Sequence, residues 1–84
     1  MTLTIYGKPG CCLCEKAEQV AARLRREFSF ELRLADITRD PDLHARYREV
    51  IPVVALDGVE IARGQVTIAG LRAALDQASR PARR

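Results

Sequence analysis

Tyr6-Gly7-Lys8-Pro9-Gly10-Cys11-Cys12-Leu13-Cys14 decides how this chain reads, because it holds all three cysteines at the point where one structural pattern ends and another begins. Upstream, Thr2-Leu3-Thr4-Ile5-Tyr6 alternates polar with apolar residues and is rich in β-formers, which predicts a strand. Gly7 to Gly10 break it. Downstream, Leu13, Ala17, Val20, Leu24 and Phe28 recur at steps of three and four, which predicts a helix over about residues 12–27 with that face buried. The cysteines therefore stand where a strand hands over to a helix.

Further along, Phe30, Leu32 and Leu34 alternate with Glu31, Arg33 and Ala35, giving a second strand. A helix-length crossover separates it from the first, so the two should run parallel. Asp40-Pro41 reads as a helix cap followed by proline in the first helical position, opening a short helix to about residue 48. Two apolar runs, 51–56 and 59–62, flank Asp57-Gly58 and predict a hairpin. A last helix over about 66–78 should bury Ile68, Leu71, Leu75 and Ala78. The order is β-α-β-α-β-β-α, an α/β chain in which a parallel half precedes an antiparallel half, with helices to cover both faces of a four-stranded mixed sheet.

With 84 residues there is room for one core, taken as residues 1–78, followed by a flexible basic tail over 79–84. The net charge of +3 belongs to that tail. Without Arg80, Arg83 and Arg84, 11 basic residues face 11 acidic ones. A neutral body with 5% aromatic residues makes a poor nucleic-acid platform, which needs a basic face and stacking rings. No run approaches the roughly 20 apolar residues of a membrane span. The opening residues lack the basic start and apolar run of a secretory signal, so the expected address is the cytosol. The expected state is a monomer.

In a reducing compartment, clustered thiols point to catalysis or metal binding more than to structural bridges. Two cysteines three apart at a helix start can close a disulfide across one turn. Cys11, at the helix start, meets unpaired backbone N–H groups and the positive dipole end, which favour a thiolate, and Lys8 adds a positive charge nearby. Cys11 is then the attacking sulfur. Cys14 lies one turn inward beside Ala17 and Ala21, less exposed, and would resolve the mixed disulfide by attacking back on Cys11. Cys12 reads as a solvent-facing spacer, since a bridge between adjacent cysteines is strained. Two other readings use the same thiols: a metal or iron-sulfur carrier, for which soft thiolates are suited, and an interaction module in which they are idle. His44, the single histidine, reads as a surface residue rather than a ligand.

Ile51-Pro52-Val53-Val54 places proline at the head of an apolar strand, where a sheet tolerates it. A cis bond there would leave the N–H and C=O of Ile51 free to pair with an extended substrate beside the thiols.

At these residues the chain resembles the glutaredoxin branch of the thioredoxin superfamily, over essentially its whole ordered length. Tyr6-Gly7-Lys8-Pro9-Gly10-Cys11 is similar to the family stretch in which tyrosine and lysine precede the nucleophile, and Cys11 and Cys14 match its two active cysteines. Val50-Ile51-Pro52 resembles the family's Thr-Val-Pro, and the short glutaredoxin-like proteins with Cys-X-Leu-Cys and Ile-Pro-Val are the nearest in pattern. The resemblance implies a thioredoxin-like fold, a cis Pro52 facing the nucleophile, and thiol-disulfide exchange with disulfide-containing proteins or glutathione. It also implies substrate contacts from Lys8, Ile51, Pro52 and Gly64. Glutathione is then a candidate co-substrate, with no tightly bound cofactor, and either glutathione or a thioredoxin reductase would return the reducing equivalents. The chain departs from the family at Cys12-Leu13, where Pro-Tyr is usual, at Val50, and after Gly64, where the acidic partner for glutathione's γ-glutamyl end is absent.

Overall fold

Six residues alternating in burial, Thr2–Gly7, form strand β1 at the centre of the molecule, with Leu3, Ile5 and Gly7 turned inward. The computed structural model of the protein describes residues 1–79. After β1 come α1 (Cys12–Leu24), β2 (Glu31–Asp36), a 3-10 turn over Ile37–Arg39, α2 (Pro41–Tyr47), β3 (Val53–Leu56), β4 (Val59–Arg63) and α3 (Ile68–Ser79). The four strands make one mixed sheet in the order β2-β1-β3-β4, with β1 parallel to β2 and antiparallel to β3. This is the four-stranded mixed sheet expected from the order of elements, and the thioredoxin-like architecture that the family resemblance implies. The basic residues Arg80 to Arg84 lie outside the described residues.

The core lies between the sheet and α1 and α3. Leu3 and Ile5 of β1 with Val54 and Leu56 of β3 meet Ala17, Ala21 and Leu24 of α1 and Leu71 and Leu75 of α3. Small residues on α1 let the helix lie close to the sheet. On the opposite face α2 brings Tyr47 against Tyr6, with ring centroids 5.0 Å apart and tilted by 36°, a favoured offset geometry.

Local chemistry sets the element ends. Asp40 caps α2, its carboxylate accepting the N–H of Asp42 at 2.9 Å and of Leu43 at 3.3 Å, and Pro41 follows at a position where its missing N–H costs nothing. Asp57 and Gly58 both have positive φ, 50° and 88°, the primed turn that matches the twist of a two-residue hairpin. Thr67 caps α3, its hydroxyl accepting the N–H of Gly70 at 3.0 Å, so the helix begins after Val66 rather than at it.

The structure corrects the buried faces in three places. α1 ends at Leu24, where Arg25 and Phe28 turn the chain back onto Ala21 and Leu24 carbonyls, and its buried stripe is Cys14, Ala17, Ala21 and Leu24. Leu13, expected inside, is 40% exposed, and Val20 and Phe28 are half-buried. Ala78 is exposed, one turn past Leu75, where α3 runs beyond the core. Leu34 faces the α1 side in register with Ile5 yet is exposed, because β2 is an edge strand with sheet on one flank only.

Candidate active site

Strand β1 delivers its last residue, Gly7, to the centre of the site, and the register of its neighbours places the rest. Gly7 stands opposite Asp36 on the β2 side. On the β3 side, Tyr6 pairs with Val53, so the next step along the ladder sets Gly7 beside Pro52. The Ile51-Pro52 bond is cis and Pro52 is fully buried. Gly64, just past β4, donates its N–H to the Pro52 carbonyl at 2.8 Å. The structure thus gathers Lys8, Cys11, Cys14, Ile51, Pro52 and Gly64 at the C-terminal end of β1. Ile51 lies outside both strand and helix, and its main chain has no hydrogen-bond partner among the described residues.

Cys11 occupies the N-cap of α1 with extended backbone angles, φ −94° and ψ 112°. Its Sγ accepts the N–H of Cys14 at 3.3 Å, filling the place a serine or aspartate oxygen takes in an ordinary cap. The sulfur is partly accessible. Cys12, the first residue of α1, is exposed.

Cys14 differs from both. It is 2% exposed, one turn into the helix. Burial pushes its thiol up to about 11, and the hydrogen bond to the Cys11 sulfur pushes the same way, because a thiol that donates a proton resists losing it. The main-chain N–H of Lys8 donates to the Cys14 sulfur and works in the opposite direction, while the Glu18 carboxylate repels a Cys14 thiolate. The pair is therefore asymmetric: an accessible sulfur at the helix cap and a sealed, protonated one behind it.

Lys8 enters the site through its backbone as well as its charge, since its amide holds Cys14 while its side chain is exposed. Gly7, Glu18 and Tyr47 were given no role from the sequence. Gly7 faces Cys14 so closely that any β-carbon there would meet its sulfur. Glu18 lies one helical turn beyond Cys14, a spacing of four that would have shown they share a face. Tyr6 and Tyr47 stack on the far side of β1, with the Arg46 guanidinium 5.8 Å from the Tyr47 ring centroid. Beside the thiol loop a cleft of about 310 Å³ opens between α1 and β2, with Gly7, Lys8, Glu15, Glu18, Leu34 and Asp36 in its wall. Asp36 is held ionised there by the hydroxyl and N–H of Thr38, which keep its carboxyl below the usual range.

Among the described residues no three His, Cys, Asp or Glu side chains are grouped to hold a metal ion, and His44 lies half-buried on α2. No helix among them is long and apolar enough to cross a membrane.

The arrangement has relatives. The Glutaredoxin-like domain (DUF836) family model matches residues 2–76. Uncharacterized protein Rv0508 of Mycobacterium tuberculosis is 32% identical over 71 residues, 79% of this chain and 73% of its own. The X-ray structure of protein XcR50 from X. campestris superposes with a TM-score of 0.75 at 30% identity, covering 89% of this chain and 96% of that one. Reduced Escherichia coli glutaredoxin shares the fold, with a TM-score of 0.64 at 24% identity over 92% of this chain and 95% of its own. Sequence, sheet topology and family match agree, and the chain belongs to the glutaredoxin-like domain family (DUF836), of thioredoxin-like fold and of redox type in its general role.

Proposed function

We infer that the protein is a thiol-disulfide oxidoreductase working through Cys11 and Cys14. The observation that carries this reading is the asymmetry of the two sulfurs, with Cys11 accessible at a helix cap and Cys14 buried one turn behind it and hydrogen-bonded to it. In the first step the Cys11 thiolate attacks one sulfur of a substrate disulfide. A Cys11–substrate bond forms, the substrate S–S bond breaks, and the other substrate sulfur leaves as a thiolate. In the second step Cys14 loses its proton and attacks Cys11, the Cys11–substrate bond breaks, and the second substrate sulfur leaves. The dithiol has then lost two electrons to form the Cys11–Cys14 disulfide, and the substrate disulfide has gained two.

Substrate orientation follows from the neighbours of the pair. The unpartnered N–H and C=O of Ile51 suit an extended peptide segment laid beside Cys11, a glutathione molecule or a protein loop alike. Lys8 and the turn at Gly64 flank the same end of the sheet and would meet a substrate carboxylate and main chain.

The test is trapping. Cys11→Ser should abolish reduction of a model disulfide, and Cys14→Ser should accumulate a mixed disulfide on Cys11 whose mass identifies glutathione or a protein. Retention of disulfide reduction by the Cys11→Ser chain would overturn the assignment.

A further inference from the structure

The sheet ends in two edge strands, β2 and β4, and they are built differently. On β4 the ladder to β3 slips between Val54 and Ala55, and Glu60 and Arg63 close an ion pair over the surface. A bulge and surface charges are the usual guards of an edge strand. β2 has no bulge. It runs from Glu31 to Asp36 in unbroken parallel register with β1 and contains neither proline nor glycine.

One hydrogen bond fixes which way β2 turns its main chain. The Glu31 N–H donates to the Met1 carbonyl, and alternate residues of a strand direct both main-chain groups to the same flank. Glu31, Arg33 and Ala35 therefore bond to β1, while Leu32 and Leu34 turn N–H and C=O outward, where no described residue meets them. The side chains alternate by face. Leu32 and Leu34 stand in register with Leu3 and Ile5 on the α1 side, and Leu34 is 57% exposed there. Glu31 and Arg33 share the opposite face, 3.4 Å apart and both well over half exposed.

We propose that a second copy of this chain docks on β2, the two β2 strands running antiparallel about a two-fold axis at Leu32 and joining the two four-stranded sheets into one. In that register Leu32 exchanges both main-chain hydrogen bonds with Leu32 of the copy. Leu34 does the same with Phe30 of the copy, which carries the outward alternation one step before β2. Between these pairs Glu31 stands opposite Arg33 of the copy, and Arg33 opposite Glu31 of the copy. Such pairs bring Cα atoms to about 4.5 Å, the closest approach for side chains on a ladder, and opposite charges there stabilise the sheet. Leu34 is covered by Phe30 of the copy on the apolar face.

Charge singles out this register. Moving the axis by one residue sets Arg33 against Arg33 of the copy or Glu31 against Glu31 of the copy, and moving it to Leu34 sets Leu32 against the Asp36 carboxylate of the copy. Leu32 lies beside Leu3, four residues before Gly7, so the axis stands about 13 Å from the thiol end of each sheet. Antiparallel pairing sends the two Cys11 sites to opposite ends of the joined sheet, both open to substrate.

Sedimentation of the full chain under reducing conditions, which exclude disulfides through Cys12, should show a reversible equilibrium between monomer and dimer. Arg33→Glu and Glu31→Arg each turn both cross-strand attractions into repulsions and should weaken self-association at least about tenfold. Both positions are on the surface, so folding is not at stake. Mixed in equal amounts, the two variants are complementary and should pair with each other, and a chain carrying both substitutions should dimerise like wild type. A wild-type chain that stays monomeric to about 1 mM overturns the proposal and leaves the edge to a strand of a different protein. A dimer indifferent to both single substitutions, or a mixture or double variant that fails to associate, overturns it as well.

Discussion

A β-carbon on Gly7 would stand 2.8 Å from the Sγ of Cys14 and 3.0 Å from its Cβ, so the end of β1 and the first turn of α1 approach each other only because residue 7 has no side chain. Real β-carbons essentially never come that close to another atom. The approach seals Cys14 from water while leaving Cys11, three residues earlier, at the surface. Gly7 is thus a positioning residue for the sulfur pair.

Gly7→Ala should therefore move Cys14 or the start of α1. Overpacking of this kind typically costs about 1–3 kcal/mol, readable as a lower denaturant midpoint of the reduced protein. The variant should also lose more in the release of a mixed disulfide than in its formation. Unchanged stability together with unchanged release kinetics would show that the contact relaxes freely.

Stability of the reduced protein should depend on alkaline pH through Cys14. Its thiol is pushed above the ordinary value of 9.0 to about 11, so the folded state binds the proton more tightly than the unfolded one. The stabilisation is present in full below pH 9 and is lost as pH rises towards 11. Two pK units correspond to roughly 3 kcal/mol. Urea denaturation of reduced wild type and Cys14→Ala across pH 8–11 should show a decline in wild type that the variant lacks. Parallel curves would contradict it.

Cys12 is exposed at the first position of α1 and makes no contact with the buried sulfur. Cys12→Ser should retain wild-type disulfide reduction in steady-state assay, and a loss greater than about tenfold would make the third thiol a participant rather than a spacer.

The α2 cap is the route by which a distant residue supports the far face of the sheet. Asp40→Ala removes the acceptor for two amides and should cost about 1 kcal/mol in equilibrium denaturation. Because α2 carries Tyr47 onto Tyr6, the near-ultraviolet dichroism of the tyrosines should weaken as well. An unaltered midpoint would show that α2 is held by packing alone.

Arg72 reaches from α3 to the turn that follows α1 and grips both oxygens of Glu27, at 2.9 and 2.6 Å. Arg72 holds the Glu27 carboxyl below its usual range, so this contribution is present above the ordinary carboxylate value and is lost as pH falls through the lowered one. Both groups are nearly half exposed, so Arg72→Ala should lower the thermal midpoint only slightly at neutral pH, and less still in high salt. A large loss would mean that the arginine stem, rather than the ion pair, joins the helices.

Much of this molecule was legible in its sequence because the relevant information is local. Alternation in Thr2 to Tyr6, the step of three and four through Ala17, Ala21 and Leu24, the Asp40-Pro41 cap and the Asp57-Gly58 turn are each a property of neighbours along the chain, and each formed where its pattern stood. The strand-to-helix position of Cys11 and Cys14 is local in the same way. Periodicity says which residues share a face, but not what covers it. Leu34 and Leu13 obeyed the pattern and ended exposed, one because β2 is an edge and the other because the first turn of α1 leaves it at the surface. Only the assembled sheet set Gly7 between Asp36 and Pro52, pressed it onto Cys14, and opened a cleft between α1 and β2. Those relations join residues from different elements, and such distances are fixed by how strands pair and helices pack.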